Sequence, residues 1–275
     1  MSEFEARPLT PIIGAEIYGV DLSREIPDAT FERVEQALAE HMVLFFREQD
    51  ITPEQQLDFG RRFGEVYCPS MAAYPPDYPD IMLLDTTTPK GAGADNWHYD
   101  ATFMPEPPLC SILRPLQLPK SGGDTCFANM VAAYEALSPA LRLLLDGLEA
   151  EHDLSRQLRI SVDRRISAES FETVIEKWPP VRHPVVRTHP VTGRKALFLN
   201  KTTGSRLLGL TEKENDLLLP FLLEHVRAPE FQCRFRWELD CVGMWDNRCV
   251  QHCGVPDFSE RRIMHRVTVA GDKPR

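Results

Sequence analysis

His98-Tyr99-Asp100, answered far downstream by His252, constrains this chain more than any other feature of its sequence. On an extended strand residues i and i+2 point to the same side. His98 and Asp100 would then present an imidazole and a carboxylate together. With His252 they could cap one face of a metal ion and leave the opposite face open, the donor set of non-haem Fe(II) oxygenases. One such histidine among eight is ordinary, so the context has to carry weight. Gly91-Ala92-Gly93-Ala94-Asp95-Asn96 reads as a loop leading into Trp97-His98, and Ala101-Thr102-Phe103 reads as continued strand. His252 follows an apolar run beginning at Met244 that turns at Asp246-Asn247.

A second constellation is Arg261-Arg262-Ile263-Met264-His265-Arg266-Val267-Thr268-Val269. As a strand it places Arg262, Met264, Arg266 and Thr268 on one face and Arg261, Ile263, His265 and Val267 on the other. Burying two arginines on one face is costly without anions to pair with them, and a guanidinium fork suits a carboxylate. The plainer reading is a solvated basic edge. Against it stand the apolar neighbours and a net charge of -10, which make a local positive cluster conspicuous. Upstream, Ser121-Gly122-Gly123-Asp124-Thr125 reads as a turn entering a strand, with the Thr125 hydroxyl free to donate to a carboxylate. Taken alone, that stretch is an ordinary hairpin.

The stretches Trp97 to Phe103, Gly122 to Thr125, His183 to Phe198, Trp245 to His252 and Arg261 to Thr268 occur in an order that closely resembles taurine dioxygenase and its relatives. These are the Fe(II)/2-oxoglutarate-dependent dioxygenases of the TauD/TfdA family. The likeness runs from Ile13 to Pro274. Position by position, the resemblance implies that His98, Asp100 and His252 bind Fe(II). It implies that Thr125 and Arg262 hold the cosubstrate 2-oxoglutarate, and that Arg266 meets an anionic substrate. Three protein ligands leave three metal positions, two for the 2-oxo acid and one for water or O2. A carboxylate at Asp100, rather than Gly or Ala, implies hydroxylation rather than halogenation. The products would be succinate and CO2. The fold implied is α+β with a mainly β core, a distorted double-stranded β-helix (jelly roll) with flanking helices, and the assembly implied is a homo-oligomer.

Departures from the family bear on the substrate. Taurine enzymes place a His and a Tyr after R-F-G-E and an Asn before D-N-W-H. Here Val66 to Tyr74 holds no histidine and Ala94 stands where that Asn would be, leaving Tyr67 or Tyr74 as substitutes. Losing hydrogen-bonding partners removes discrimination, so taurine, other sulfonates, alkyl sulfates and small carboxylic acids all stay open. A non-catalytic ligand- or metal-binding protein of the same fold is the alternative.

Composition bounds the rest. With 43% hydrophobic and 26% charged residues the chain is that of a globular protein, and its acidic balance argues against nucleic acid as a partner. No apolar run reaches the roughly 20 residues of a membrane span, and Met1-Ser2-Glu3-Phe4-Glu5 carries no secretory signal; a cytoplasmic protein is expected. Seven cysteines fit a reducing compartment. Cys249-x-x-His252-Cys253 raises a structural zinc site, although adjacent strand residues face opposite ways.

Short strands with helices outside suggest one barrel-like domain over residues 1–275. Helices are expected over Phe31–Leu38, from Thr52-Pro53 onward, over Tyr134–Leu148 and over Glu212–Val226. Strands are expected at Met42–Arg47, Ile81–Leu84, Cys110–Leu113, Asp124–Ala128, Val185–Thr188, Ala196–Leu199, Phe231–Trp237, Val242–Trp245 and Met264–Ala270. Residues 153–180, charged and weakly patterned, are expected to form a lid.

Overall fold

A computed structural model describes residues 3–68, 73–87, 95–155, 173, 175–203 and 205–275. In chain order the first strands are β1 (Glu5–Pro8), β2 (Ala15–Tyr18), β3 (Val43–Phe46), β4 (Val66–Tyr67), β5 (Ile81–Thr86), β6 (Cys110–Gln117), β7 (Thr125–Asn129) and β8 (Glu149–His152). After these come β9 (Val181–Pro184), β10 (Val186–Thr188), β11 (Lys195–Leu197), β12 (Arg206–Leu207), β13 (Gln232–Phe235), β14 (Val242–Asp246), β15 (Val250–Gly254) and β16 (Arg262–Val269). The α-helices that lie wholly within the described residues are α1 (Asp28–His41), α2 (Pro53–Arg61), α3 (Met130–Glu135), α4 (Pro139–Leu145) and α5 (Glu212–His225).

The large sheet runs β1-β2-β3-β14-β6-β16-β4, with β5 also pairing β16, and the small sheet runs β13-β7-β15. All of these pairings are antiparallel except β2 with β3. Aromatic rings join the two sheets face to face. Phe45 of β3 stacks on Phe235 of β13 with centroids 3.7 Å apart, and Trp245 of β14 meets Phe127 of β7 at 5.6 Å. One core fills this space, with Leu113, Met264 and Trp245 from the large sheet and Phe127, Val250 and Phe235 from the small one. A second core lies behind the large sheet, where α1 and α2 cover Leu44, Phe46, Ile112 and Val267. Pleat alternation explains the division, since successive residues of β3 and β16 serve opposite cores.

Local chemistry accounts for the helices. Phe31, Val34, Ala37 and Leu38 form the buried stripe of α1. Thr52 and Gln55 make a reciprocal capping box with Pro53 at the first turn of α2, and Thr211 and Glu214 do the same for α5. The single helix expected over Tyr134–Leu148 is instead two. Proline disfavours helical backbone in the residue before it; α3 stops at Glu135 with Ala136 as its C-cap, and Ser138, at ψ 151°, caps α4 ahead of Pro139.

Ala101-Thr102-Phe103 also departs from expectation, forming a turn rather than a strand. Ala101 sits at φ 48°, and its carbonyl accepts from the Met104 N–H at 3.0 Å. Of the proposed lid, residues 156–172 and 174 lie outside the described residues; Leu154 and Trp178 at its two ends pack on Phe103. No helix among the described residues is long and apolar enough to cross a membrane.

Candidate active site

His98 and His252 are brought together by backbone rather than by their side chains. The His98 N–H donates to the His252 carbonyl at 3.1 Å and the His252 N–H donates to the His98 carbonyl at 2.9 Å. A residue pair that exchanges both bonds faces one side of the sheet, and the two imidazole centroids are 4.2 Å apart. This bridge docks the His98 segment on the free side of β15, whose other side pairs with β7. Asp100 lies in the turn beyond, where the chain doubles back toward the imidazoles.

Asp100 is held at every polar atom. Asn247 accepts from its N–H at 2.8 Å and donates to its carbonyl at 3.1 Å. Ser111 of β6 donates to Oδ2 at 2.8 Å and Arg266 of β16 donates to Oδ1 at 2.6 Å. That Oδ1 lies 4.0 Å from the Nε2 of each histidine. Two donors about 2.1 Å from one ion can be at most about 4.2 Å apart, so each imidazole and the carboxylate can share an ion. Sequence reading missed Ser111 and Asn247. The available signals were a lone hydroxyl in the apolar strand Cys110–Leu113 and an amide in the turn after Trp245.

Electrostatics favour the ligating forms. Burial lowers the pKa of His98, and burial together with neighbouring His98 pushes His252 well below its ordinary value, so both rings are neutral at pH 7. His98 Nδ1 meets the Asn96 carbonyl at 2.7 Å, which assigns the proton to Nδ1 and frees Nε2. Burial is the largest single influence on Asp100 and works against its ionisation, but Arg266, the two imidazoles and the Ser111 hydroxyl together outweigh it and hold the carboxyl well below the usual carboxylate range. A buried anion flanked by two neutral imidazole nitrogens fits a divalent cation.

A second corner of the same space holds Arg262 and Thr125. Gly122 and Gly123 both take positive φ, 78° and 76°, at the turn entering β7. A Cβ on Gly123 would lie 3.2 Å from the Arg262 Cδ, so the turn passes directly over that side chain. The buried Arg262 Nε has no hydrogen-bond partner, and burial lowers the pKa of its guanidinium to about 10. Thr125 Oγ1 accepts from the Trp237 indole at 2.9 Å, leaving its hydroxyl proton free to donate. A guanidinium whose Nε lacks a partner and a hydroxyl with a free proton are groups that suit a carboxylate.

Arg262 and Arg266 lie on the same face of β16, as the alternation predicted. Beyond Asp100, Arg266 Nη2 lies 2.9 Å from Met82 Sδ, and nearby Tyr67 donates its hydroxyl to Met104 Sδ at 3.4 Å. Tyr67 lies opposite Thr268 in the β16–β4 register, on the inward face with Arg266. Burial, with the Asp100 charge nearby, raises its phenol pKa. Tyr74 is 52% exposed and takes part in none of these contacts, and Ala94 lies outside the described residues.

The metal-capable group at His252 contains no cysteine, so Cys249-x-x-His252-Cys253 is not assembled as a zinc site. A second buried group, His189, Asp246 and Cys249, has its carboxylate already engaged. Arg248 donates to both oxygens of Asp246, at 2.8 and 2.6 Å, and His189 Nε2 meets Oδ2 at 2.9 Å.

Two sheets facing each other across two neutral imidazoles and a carboxylate, with arginines farther along one strand, form a group that could hold a divalent metal ion. Comparison with known proteins makes the class specific. Residues 5–268 match the family model described as taurine catabolism dioxygenase TauD, TfdA family. An alpha-ketoglutarate-dependent sulfate ester dioxygenase of Pseudomonas putida is 36% identical, covering 99% of this chain and 91% of that one. An alpha-ketoglutarate-dependent 2,4-dichlorophenoxyacetate dioxygenase of Cupriavidus pinatubonensis is 35% identical, covering 97% and 98%. A solved structure of AAD-2 in complex with Mn(II) and N-oxalylglycine superposes with a TM-score of 0.84 at 32% identity, covering 99% of each chain. The chain belongs to the TauD, TfdA family and is a 2-oxoglutarate-dependent dioxygenase.

Proposed function

We propose that this dioxygenase uses Fe(II), 2-oxoglutarate and O2 to hydroxylate a small organic anion with an apolar body, releasing succinate and CO2. The observation that carries the reading is the 4.0 Å distance from Asp100 Oδ1 to both histidine Nε2 atoms. His98, Asp100 and His252 would hold the iron. Bound there, it supplies the oxygen chemistry that couples decarboxylation of the 2-oxo acid to C–H hydroxylation. Arg262 and Thr125 would clamp the far carboxylate of 2-oxoglutarate, and the paired donors of Arg262 orient it. The face-to-face sheets are read as a distorted double-stranded β-helix in one domain.

Arg266 would receive the substrate's anion, with Tyr67, Met82 and Met104 around the rest of the molecule. Thioethers and a phenol suit an alkyl or aryl body better than a charged ammonium. That environment favours alkyl sulfates, sulfonates and carboxylates of apolar character over taurine. Relatives named for sulfate esters and for 2,4-dichlorophenoxyacetate are in keeping with such a pocket.

Anaerobic addition of Fe(II) and 2-oxoglutarate tests the first part. A visible metal-to-ligand charge-transfer band is expected, and its absence in correctly folded protein defeats the assignment. Succinate release screened across alkyl sulfates, sulfonates including taurine, and aryloxy carboxylates tests the second. Taurine as the best substrate would overturn the apolar-body reading.

A further inference from the structure

Cys126 of β7 and Cys253 of β15 are direct partners across the small sheet. Directly opposed residues of an antiparallel pair share a face. Flanking bonds from Met130 N–H to Cys249 carbonyl (3.0 Å) and from Val255 N–H to Asp124 carbonyl (2.9 Å) set the alternation along the ladder. It makes Cys126 and Cys253 a hydrogen-bonded pair, a position where Cα atoms lie about 5.5 Å apart. Disulfides span Cα distances of about 4.4–6.8 Å.

The pair also faces the right way. Phe127 and His252, the next residues along each strand, turn inward with ring centroids 6.3 Å apart. Cys126 and Cys253 must then point outward. Both are free and only half-buried, whereas Cys110, Cys233, Cys241 and Cys249 are buried. Cys253 lines a cavity of about 420 Å³ on the outer side of β15, beside Trp97, Leu219 and Leu223, which gives a small oxidant access.

We propose that Cys126 and Cys253 are an oxidative modification site, a cross-strand dithiol that hydrogen peroxide converts to a disulfide. Burial raises both thiols, Cys253 to about 11, so the reaction is slow at neutral pH and begins when one thiol loses its proton to solvent and, as the thiolate, attacks a peroxide oxygen. The O–O bond breaks, the sulfur becomes a sulfenic acid and, with one proton taken up, a water leaves. The second thiol attacks that sulfur, the S–S bond forms, and the S–O bond breaks to release a second water. Two thiols and one peroxide yield one disulfide and two waters, with the sulfurs supplying two electrons.

Closing the bond draws the Cβ atoms from about 4.5–5.5 Å to about 3.8 Å. Thr125 and His252 adjoin the two cysteines, so the same shear re-aims side chains on the inner face. This consequence for the metal rests on the function proposed above, whereas formation of the disulfide does not.

The test treats the full chain with hydrogen peroxide in the presence of a chelator, then maps peptides without reduction. A Cys126–Cys253 crosslink is expected, with two fewer titratable thiols, both reversed by dithiothreitol. Cys126→Ser should abolish the crosslink and leave a dimedone-trappable sulfenic acid on Cys253. A crosslink to Cys68 or Cys233, a sulfinic acid without crosslink, or an unchanged thiol count would overturn the proposal. The wild-type map decides this even if the variant fails to fold. Co(II) titration of the oxidised chain should show affinity reduced about tenfold, the scale of disturbing a metal ligand's support. Equal affinity would overturn the link to the metal site.

Discussion

Asp100 depends on more neighbours than any other residue of the site, and this makes its contacts experimentally separable. Arg266 engages Oδ1, the oxygen facing the imidazoles, while Ser111 engages Oδ2. Ser111→Ala removes one donor without altering charge, and the carboxylate can then rotate. Outer-shell partners of metal ligands are typically worth about 10–100-fold in metal affinity. Co(II) titration of Ser111→Ala should show a loss in that range at unchanged fold; wild-type affinity would mean that Oδ2 needs no anchor. Arg262→Gln should raise the 2-oxoglutarate KM at least tenfold while changing the substrate KM little, since one bidentate contact is lost. A shift confined to the substrate would move Arg262 to the other pocket. The grouping of His98, Asp100 and His252 was legible from spacing and order, and both arginines were singled out by strand alternation, with their roles supplied only by the family resemblance. Ser111 and Asn247 were not, because a hydroxyl or amide gains its role only from what folding places against it.

Elements transmit constraint to the site through the helix behind the large sheet. A Cβ on Gly60 of α2 would lie 2.7 Å from Val267 Cγ1 of β16 and 3.1 Å from Val66 Cγ1 of β4. Ala for Gly in a helix gains about 1 kcal/mol of propensity, but overpacking costs about 1–3 kcal/mol. With strand side chains in the way and little room for them to shift, the second term should win. Gly60→Ala is therefore expected to lower the urea midpoint, and to raise the KM for both 2-oxoglutarate and substrate, because β16 carries Arg262 and Arg266. A higher midpoint would show that α2 slides at no cost. Element type was largely legible where caps or apolar runs were strong, as at Thr52-Pro53 and Val43–Phe46. It failed where one residue overrode its neighbours. Pro139 split a helix, and the left-handed Ala101 turned an expected strand toward the metal corner.

At the scale of the whole molecule, strand order was not legible, since β14 and β16 from the end of the chain interleave with β3, β6 and β4 from its beginning. Such pairings bury polar side chains far from their sequence neighbours, and the histidines record the cost. His152 is fully buried, with Nδ1 at 3.0 Å from the Thr102 hydroxyl and Nε2 lacking a partner. Burial, then the nearby His183, lowers its pKa to about 3, and burial lowers His183 and takes His265 to about 4. An unfolded histidine titrates near 6.5, so the unfolded chain binds protons that the folded one refuses from about 6.5 down to about 4 at His265 and about 3 at His152. Stability should thus be level above pH 7 and fall as the pH drops through that window, by about 1.4 kcal/mol per unit for each histidine fully excluded from protonation. Urea midpoints of the chelated protein from pH 7.5 to 5 would measure the slope. His152→Asn should flatten it by one proton's worth, because an amide cannot charge. An unaltered slope would mean that His152 takes up its proton inside the fold. His152 shares Thr102 with Asn200, whose Nδ2 donates to the Thr102 hydroxyl at 2.8 Å and to the Tyr99 carbonyl at 3.0 Å. The same network holds the chain on either side of Asp100, so acid should loosen the metal corner before it unfolds the sheets, and Co(II) affinity should decline at a higher pH than the urea midpoint.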